Sequence, residues 1–362
     1  MTTNTTIFLQ QNKMAKKNNL LKALLYIAEI ILVAGAGVAY WAYNNIMASN
    51  VQVPADETKV IYVHSNDTLE DVLGAIRNSG TLKDYDSFAW TANLMKYGKN
   101  GVKGGRYVLK DGMSNRQLVR MLASGNQTAV KLTFNNIRTI NDLAGRLSQQ
   151  LEMDSLEIIS TLNNPDIQKE CGVDAANIIA IFIPNTYEMY WNISPEKLVK
   201  RMKKEYDGFW NETRTGKLAR TGLTQLQVSA LAAIVEEETI KKDEQPIVAG
   251  LYINRLKKGM KLESDPTVKF AVGDFSLRRI WGDHLKIDSP YNTYMYEGLT
   301  PSPIRIPSIS ALDAVLNYRE HNYIFMCAKE DFSGYHNFAI TGAEHAANAK
   351  RYHNALDARG IR

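Results

Sequence analysis

Cysteine is scarce in this chain. There are two in 362 residues, Cys171 and Cys327, far apart and outside any C-x-x-C or zinc-type spacing. Neither has the N-terminal setting of a lipidated cysteine. A Cys171–Cys327 disulfide is one reading of the pair, and two buried thiols is the simpler one. A G-x-S-x-G elbow, a Gly-rich phosphate loop and an H-E-x-x-H helix are all missing. Their absence argues against an α/β-hydrolase serine site, nucleotide binding and zincin-type proteolysis. The six histidines are scattered, and His345 and His353 stand too far apart on one helix to share a metal. No metal and no cofactor is expected.

The chain does have an ordinary globular mixture of 45% hydrophobic and 22% charged residues, with net charge +5. Its length allows about two domains and an anchor. The mild basic excess suits acidic polymers in general without choosing among them. From Ala23 to Tyr43 the chain is almost wholly apolar, with Glu29 the only charge. At 1.5 Å per residue this length just spans a bilayer core. Lys13, Lys16, Lys17 and Lys22 precede it and Asp56 and Glu57 follow, so the positive-inside rule predicts a cytoplasmic N-terminus. Tyr40, Trp41 and Tyr43 would form an aromatic belt at the outer edge. A cleaved signal peptide is the rival reading, with an apolar region that is usually shorter.

The rest of the chain reads as α+β. Residues 44–58 are polar and predict a tether. Lys59–Val63 predicts a strand, Asp67 with Glu70 a helix cap, Arg106–Leu109 a strand and Ser114 with Gln117 a capping box. Val130–Phe134 and the helix after Thr139 repeat the cadence, and Asp154 with Glu157 opens another helix. A helix is expected from Pro195 to about Trp210, then a surface loop over 211–222. Thr224 caps a long helix that Asp243–Pro246 ends or breaks, and a second helix starts at Ile247. Beyond Gly259 the chain reads as irregular until a helix at Ser310–Asn317, a strand at Tyr323–Ala328 and a helix at Ala343–Ala358. The expected divisions are a tail over 1–22, a membrane helix over 23–43, a linker over 44–58, a first module over 59–128, an intermediate segment over 129–205 and a last segment over 206–362.

Chemistry is best sought at Glu236, Glu237 and Glu238, which close the apolar run Leu231–Val235. Such a charge run is often a solvated face. Helical phase separates the three. Glu236 continues a stripe of small residues, Ser229, Ala232 and Ala233, that lets a polymer approach closely. A carboxyl against an apolar wall holds its proton to higher pH, so Glu236 is the preferred acid. Glu238 extends the bulky stripe of Ile234 and Val235 and is second, and Glu237 is expected to be solvated. Asp265 stands beside a proline-fixed turn, where capping that turn is its alternative role. Ser289–Tyr294 gathers tyrosines, an asparagine and a threonine of the kind that sugars require.

Taken in order, these segments resemble the endolytic murein transglycosylase (YceG-like) family. Lys103–Gly125 (KGGRYVLKDGMSNRQLVRMLASG) and Leu231–Thr239 (LAAIVEEET) carry the likeness. Tyr252–Leu256 (YINRL), Gly259–Leu262, Ser264–Val268 (SDPTV), Ser289–Tyr294 (SPYNTY), Gly298–Ile304, His336–Phe338 and Glu344–His345 follow in family order. One segment departs: Ile178–Tyr187 reads IIAIFIPNTY, with Asn185 where the family carries an aspartate. The resemblance implies a single-pass inner-membrane protein with a LysM-like module over 59–128 and an extracytoplasmic catalytic domain over 206–362. It implies a lyase that cuts the MurNAc–GlcNAc bond of peptidoglycan and leaves 1,6-anhydro ends. Glu236 would be the acid and base, with Asp265, Thr267, Tyr291, Asn292 and Tyr294 lining the cleft. The implied partners are glycan strands and cell-wall synthases, not nucleic acid. A non-catalytic wall-binding scaffold is the alternative.

Overall fold

The computed structural model describes residues 3–277 and 279–360. The first two residues of the expected tail and the last two of the final segment lie outside them. The fold is mixed α+β, and the chain divides into two compact units, Met1–Ala129 and Val130–Arg362.

The first unit opens with α1 (Thr3–Met47), followed by β1 (Lys59–Val63), α2 (Leu69–Asn78), α3 (Tyr85–Leu94), β2 (Gly105–Leu109) and α4 (Asn115–Ser124). Within α1, Lys16–Met47 is long and apolar enough to cross a membrane. β1 and β2 pair antiparallel, Ile61 opposite Tyr107. Val63, Val72, Ile76, Phe88, Tyr107 and Leu118 form a fully buried core. Two expectations change here. The cap of α2 is Thr68 with Asp71, not Asp67, because the Asp67 carboxylate is already taken by the His64 N–H at 2.7 Å. The 44–58 stretch is not a free tether throughout. Asn50 reaches the Asp84 carbonyl and Asn115 Oδ1 at 2.6 and 2.7 Å, and Val51 is fully buried.

The second unit contains β3 (Val130–Thr133), α5 (Ile140–Ser148), α6 (Ser155–Leu162), α7 (Pro165–Cys171), β4 (Thr186–Met189), α8 (Pro195–Phe209) and α9 (Glu212–Thr221). It continues with α10 (Gln225–Glu238), α11 (Gln245–Lys257), α12 (Asp265–Val272), α13 (Ile309–Leu316), β5 (Phe325–Ala328), β6 (His336–Ala339) and α14 (Gly342–Ala358). β3 pairs with β4 and β5 with β6, both antiparallel. One hydrophobic core runs from Leu132 to Tyr318, so residues on both sides of position 205 pack together. The 211–222 stretch is a helix rather than a loop. Asn211 caps α9, Gly222 stops it in the left-handed region, and Arg214 ties it to Asp313 on α13. The irregular region after Gly259 also contains a helix, α12, with Pro266 in its first turn, where a missing N–H costs nothing.

α10 is the axis of this unit. Thr224 and Gln227 form its capping box, and Val228–Val235 are all buried. A helix apolar on every side must be enclosed, and α11, α12 and α13 enclose it. Gly250 on α11 lets the chain at Arg319 pack against the helix. A Cβ there would stand 2.3 Å from the Arg319 carbonyl oxygen. Gly250→Ala is expected to destabilise the protein by roughly 1–3 kcal/mol, measured as a lower melting temperature.

Candidate active site

Three carboxylates at the C-terminal end of α10 face the negative end of the helix dipole. Each therefore needs its own compensation. Glu237 is not solvated as expected. Its side chain is 16% exposed and takes Arg138 at 3.0 Å and Arg305 at 2.6 Å. Glu236 accepts the Ser308 N–H at 3.0 Å, at the start of α13, and lies 3.5 Å from Arg305. A helix-start N–H and a guanidinium thus both lie beside its carboxyl. These partners lie 68 or more positions downstream, or 99 upstream, so helical phase alone carries no sign of them.

Glu238 is built differently. Its Oε1 accepts from Ser264 Oγ at 2.5 Å and from Tyr252 Oη at 2.8 Å. Among the described residues no donor reaches Oε2. Burial pushes the Glu238 carboxyl above the ordinary value. The Ser264 and Tyr252 hydrogen bonds pull it down, the Asp265 charge adds to the rise, and His336 opposes it. Burial likewise keeps Tyr252 protonated, so it remains a donor.

A cavity of ≈ 240 Å³ opens on this carboxyl, with Glu238, Tyr252, Arg255, Asp265, Tyr294 and His336 in its wall. A second, of ≈ 190 Å³, shares Glu238 and Asp265 and adds Glu237, Pro266 and Lys269. Glu236 lines neither. Asp265 accepts from Tyr294 Oη at 2.7 Å. Burial, then the Asp265 hydrogen bond, holds the Tyr294 phenol far above its usual range.

The other expected lining residues stand elsewhere. Thr267 is fully buried and bonds the Ser264 carbonyl and Thr293 Oγ1, both at 2.7 Å. Asn292 is also fully buried. It donates to the Leu285 and Ile287 carbonyls and accepts the Tyr294 N–H at 3.0 Å. Both residues brace the loop that aims Tyr294 and do not touch the cavity. Tyr291 bonds Ser302 at 2.6 Å and lines a separate cavity of ≈ 260 Å³ with Arg138 and Phe270. Composition singles out the loop that carries Tyr294 to the cavity, but it cannot tell a residue that braces a loop from one that lines a cavity.

Sequence reasoning gave no role to Tyr252, Arg255 or His336, although each sits in a segment of the family pattern. Arg255 is buried and donates to the Ile324, Lys261 and Leu262 carbonyls and to Glu263. It joins the start of β5 to the approach of α12, which are two walls of the cavity. Cys171 and Cys327 are both free thiols, and Cys327 lines the cavity.

An acid with a higher pKa in the folded state than unfolded keeps its proton when folded and loses it when unfolded. Stability is then full below the ordinary value of 4.5 and falls as pH rises towards the folded value. Glu238→Gln keeps an oxygen for Ser264 and Tyr252 and removes that loss. At pH 7 the variant should melt above the wild type, by roughly 2–4 °C per kcal/mol gained. The gap should close below pH 4.5.

Fold and site together define an α+β protein whose longest buried helix ends in a protonatable carboxyl, open to a polar cleft. The chain belongs to the YceG-like family, whose model matches residues 61–351. It is similar to the endolytic murein transglycosylase of Bacillus subtilis (strain 168), 26% identical over 339 residues, covering 89% of this chain and 91% of that protein. It is 23% identical over 339 residues to the endolytic murein transglycosylase of Streptococcus pneumoniae (strain ATCC BAA-255 / R6). That match covers 84% of this chain and 60% of the longer pneumococcal protein. A crystal structure of a yceG-like protein from Listeria monocytogenes shares the fold, with TM-score 0.52 and 23% identity over 80% of this chain and 99% of that one.

Proposed function

We propose that this protein is a membrane-anchored lytic transglycosylase that cuts peptidoglycan glycan strands, with Glu238 as its acid in place of Glu236. The observation that carries this reading is the Glu238 carboxyl. One oxygen is gripped by two hydroxyls and the other is left for a ligand, with burial favouring the protonated form. The neutral carboxyl donates its proton to the glycosidic oxygen between MurNAc and GlcNAc. The C1–O bond breaks with oxocarbenium character, and the negative charge of Asp265 stabilises it. The muramyl 6-hydroxyl attacks C1, loses its proton and closes a 1,6-anhydro ring. In the one-carboxylate scheme the Glu238 carboxylate takes that proton back. No water is added, so the reaction is a lyase reaction. An acceptor within the same sugar has a high effective concentration, which removes the need for a second nucleophile.

Two cavities meeting at Glu238 and Asp265 suit a strand that continues on both sides of the cut, in keeping with the endolytic activity in the names of the relatives. The apolar segment of α1 serves as the anchor, N-terminus in the cytoplasm, and residues 59–128 are the LysM-like module. In that position the enzyme would terminate or trim nascent strands beside the synthases.

The test is mass spectrometry of glycan ends released by the full-length protein from purified strands. Anhydro ends, lighter by one water than hydrolysed ends, are expected. Hydrated ends would mean a hydrolase. Uncut strands that co-sediment with the protein would mean a scaffold.

A further inference from the structure

The cleft holds a second acid–base group that the one-carboxylate scheme leaves idle. His336 opens β6 and lines the cavity that contains Glu238. Beneath it lies Glu244, 3% exposed, just ahead of α11. Glu244 Oε2 stands 2.9 Å from His336 Nδ1, and Oε1 accepts the His336 backbone N–H at 2.7 Å. Burial alone would raise the Glu244 pKa, but these His336 hydrogen bonds outweigh it and the carboxyl lies below its ordinary value. An ionised carboxylate can only accept, so Nδ1 carries the hydrogen. In the neutral ring the lone pair is then on Nε2. Among the described residues Nε2 has no protein partner and is not a buried orphan. A buried carboxylate that fixes the tautomer of a histidine is how an imidazole is readied as a base.

We propose that His336, oriented by Glu244, is the base that takes the proton of the muramyl 6-hydroxyl while Glu238 protonates the leaving oxygen. The proposal rests on the transglycosylase reading above and divides its two proton transfers between two residues. The O6–H bond breaks to Nε2, O6 bonds to C1, and the C1–O4 bond breaks. O4 takes the Glu238 proton. The site is left with a Glu238 carboxylate and a His336 imidazolium, and one proton passing between them restores it. His336 is thus a catalytic residue, and Glu244 is a positioning residue. The cavity also presents Arg255, Glu263, Asp265, Tyr294 and the Cys327 thiol beside the His336 ring.

The test measures anhydro-end formation by full-length protein on purified strands across pH. Wild type should show a bell-shaped kcat profile, one limb from each group. His336→Gln keeps an amide donor for Glu244 and removes the base. It should lose roughly 100-fold or more in kcat, with KM little changed and one limb gone. His336→Ala, which opens a space for a free ring, should recover activity with added imidazole. Glu244→Gln, which admits either tautomer, should lower kcat rather than raise KM. A smaller loss in His336→Gln with both limbs kept overturns the proposal. If that variant fails to fold, absence of imidazole rescue in His336→Ala does so. Glu238→Gln is the separate control. If wild type makes anhydro ends and Glu238→Gln does not, the transglycosylase reading stands whatever His336 shows. If wild type makes none, both readings fall.

Discussion

Glu238→Gln should cut formation of 1,6-anhydro ends roughly 100- to 10,000-fold, while Glu236→Gln should leave most of it. Glutamine at 238 offers the same oxygen to Ser264 and Tyr252, so the helix end and the cavity wall are preserved. Only the transferable proton is removed. At 236 the carboxylate accepts the Ser308 N–H and lies beside Arg305. Those partners hold it away from the cleft, and a glutamine oxygen can still accept the Ser308 N–H. The comparison is made by mass spectrometry of ends from the two variants at equal protein concentration. Loss in Glu236→Gln with activity kept in Glu238→Gln would reverse the assignment and restore the choice that helical phase favours.

Arg255→Lys should destabilise the second unit by on the order of 3 kcal/mol, through lost charge-assisted hydrogen bonds in a buried setting. Arg255 Nε donates to the Ile324 carbonyl at 2.6 Å, and Nη1 reaches Lys261, Leu262 and Glu263 at 3.0 Å each. A lysine ammonium carries a charge but no planar fork, so it cannot hold both walls at once. Glu263 contributes little of this, because its side chain is 48% exposed and its ion pair is screened by solvent. The loss is in the buried carbonyls left without a donor. Thermal unfolding of the full-length variant should show a clearly lower melting temperature, and its anhydro-end rate should fall at temperatures where it is still folded. A wild-type melting temperature would mean that the two walls are held by packing alone.

Local chemistry was the part of this fold legible from sequence. Ser114 with Gln117 caps α4, Asp154 with Glu157 opens α6 and Thr224 caps α10 as the sequence predicts, because each is decided within four residues. Asp67 shows the limit. Either it or Thr68 could cap α2, and the His64 N–H decides by claiming Asp67 first. α9 was hidden by its polar composition, although its cap Asn211 and stop Gly222 were present. Its hold on the fold comes from Arg214 to Asp313 and Arg220 to Glu320, about a hundred positions away. The choice among the three glutamates was of the same kind. Phase placed Glu236 and Glu238 on different faces of α10, but only Ser264, Tyr252, Arg305 and Ser308 determine which face is dry and which is neutralised. His336 was visible as a family fragment. Its meaning depends on Glu244, which carried no signal of its own.

Burial should make Glu238 keep its proton to higher pH than an ordinary glutamate does. Carbon NMR of the protein labelled at glutamate side-chain carboxyls, with Glu238→Gln used to assign the signal, measures this directly across pH. One carboxyl should titrate above the ordinary value of 4.5 and be missing from the variant. A Glu238 signal that titrates at or below that value would contradict it.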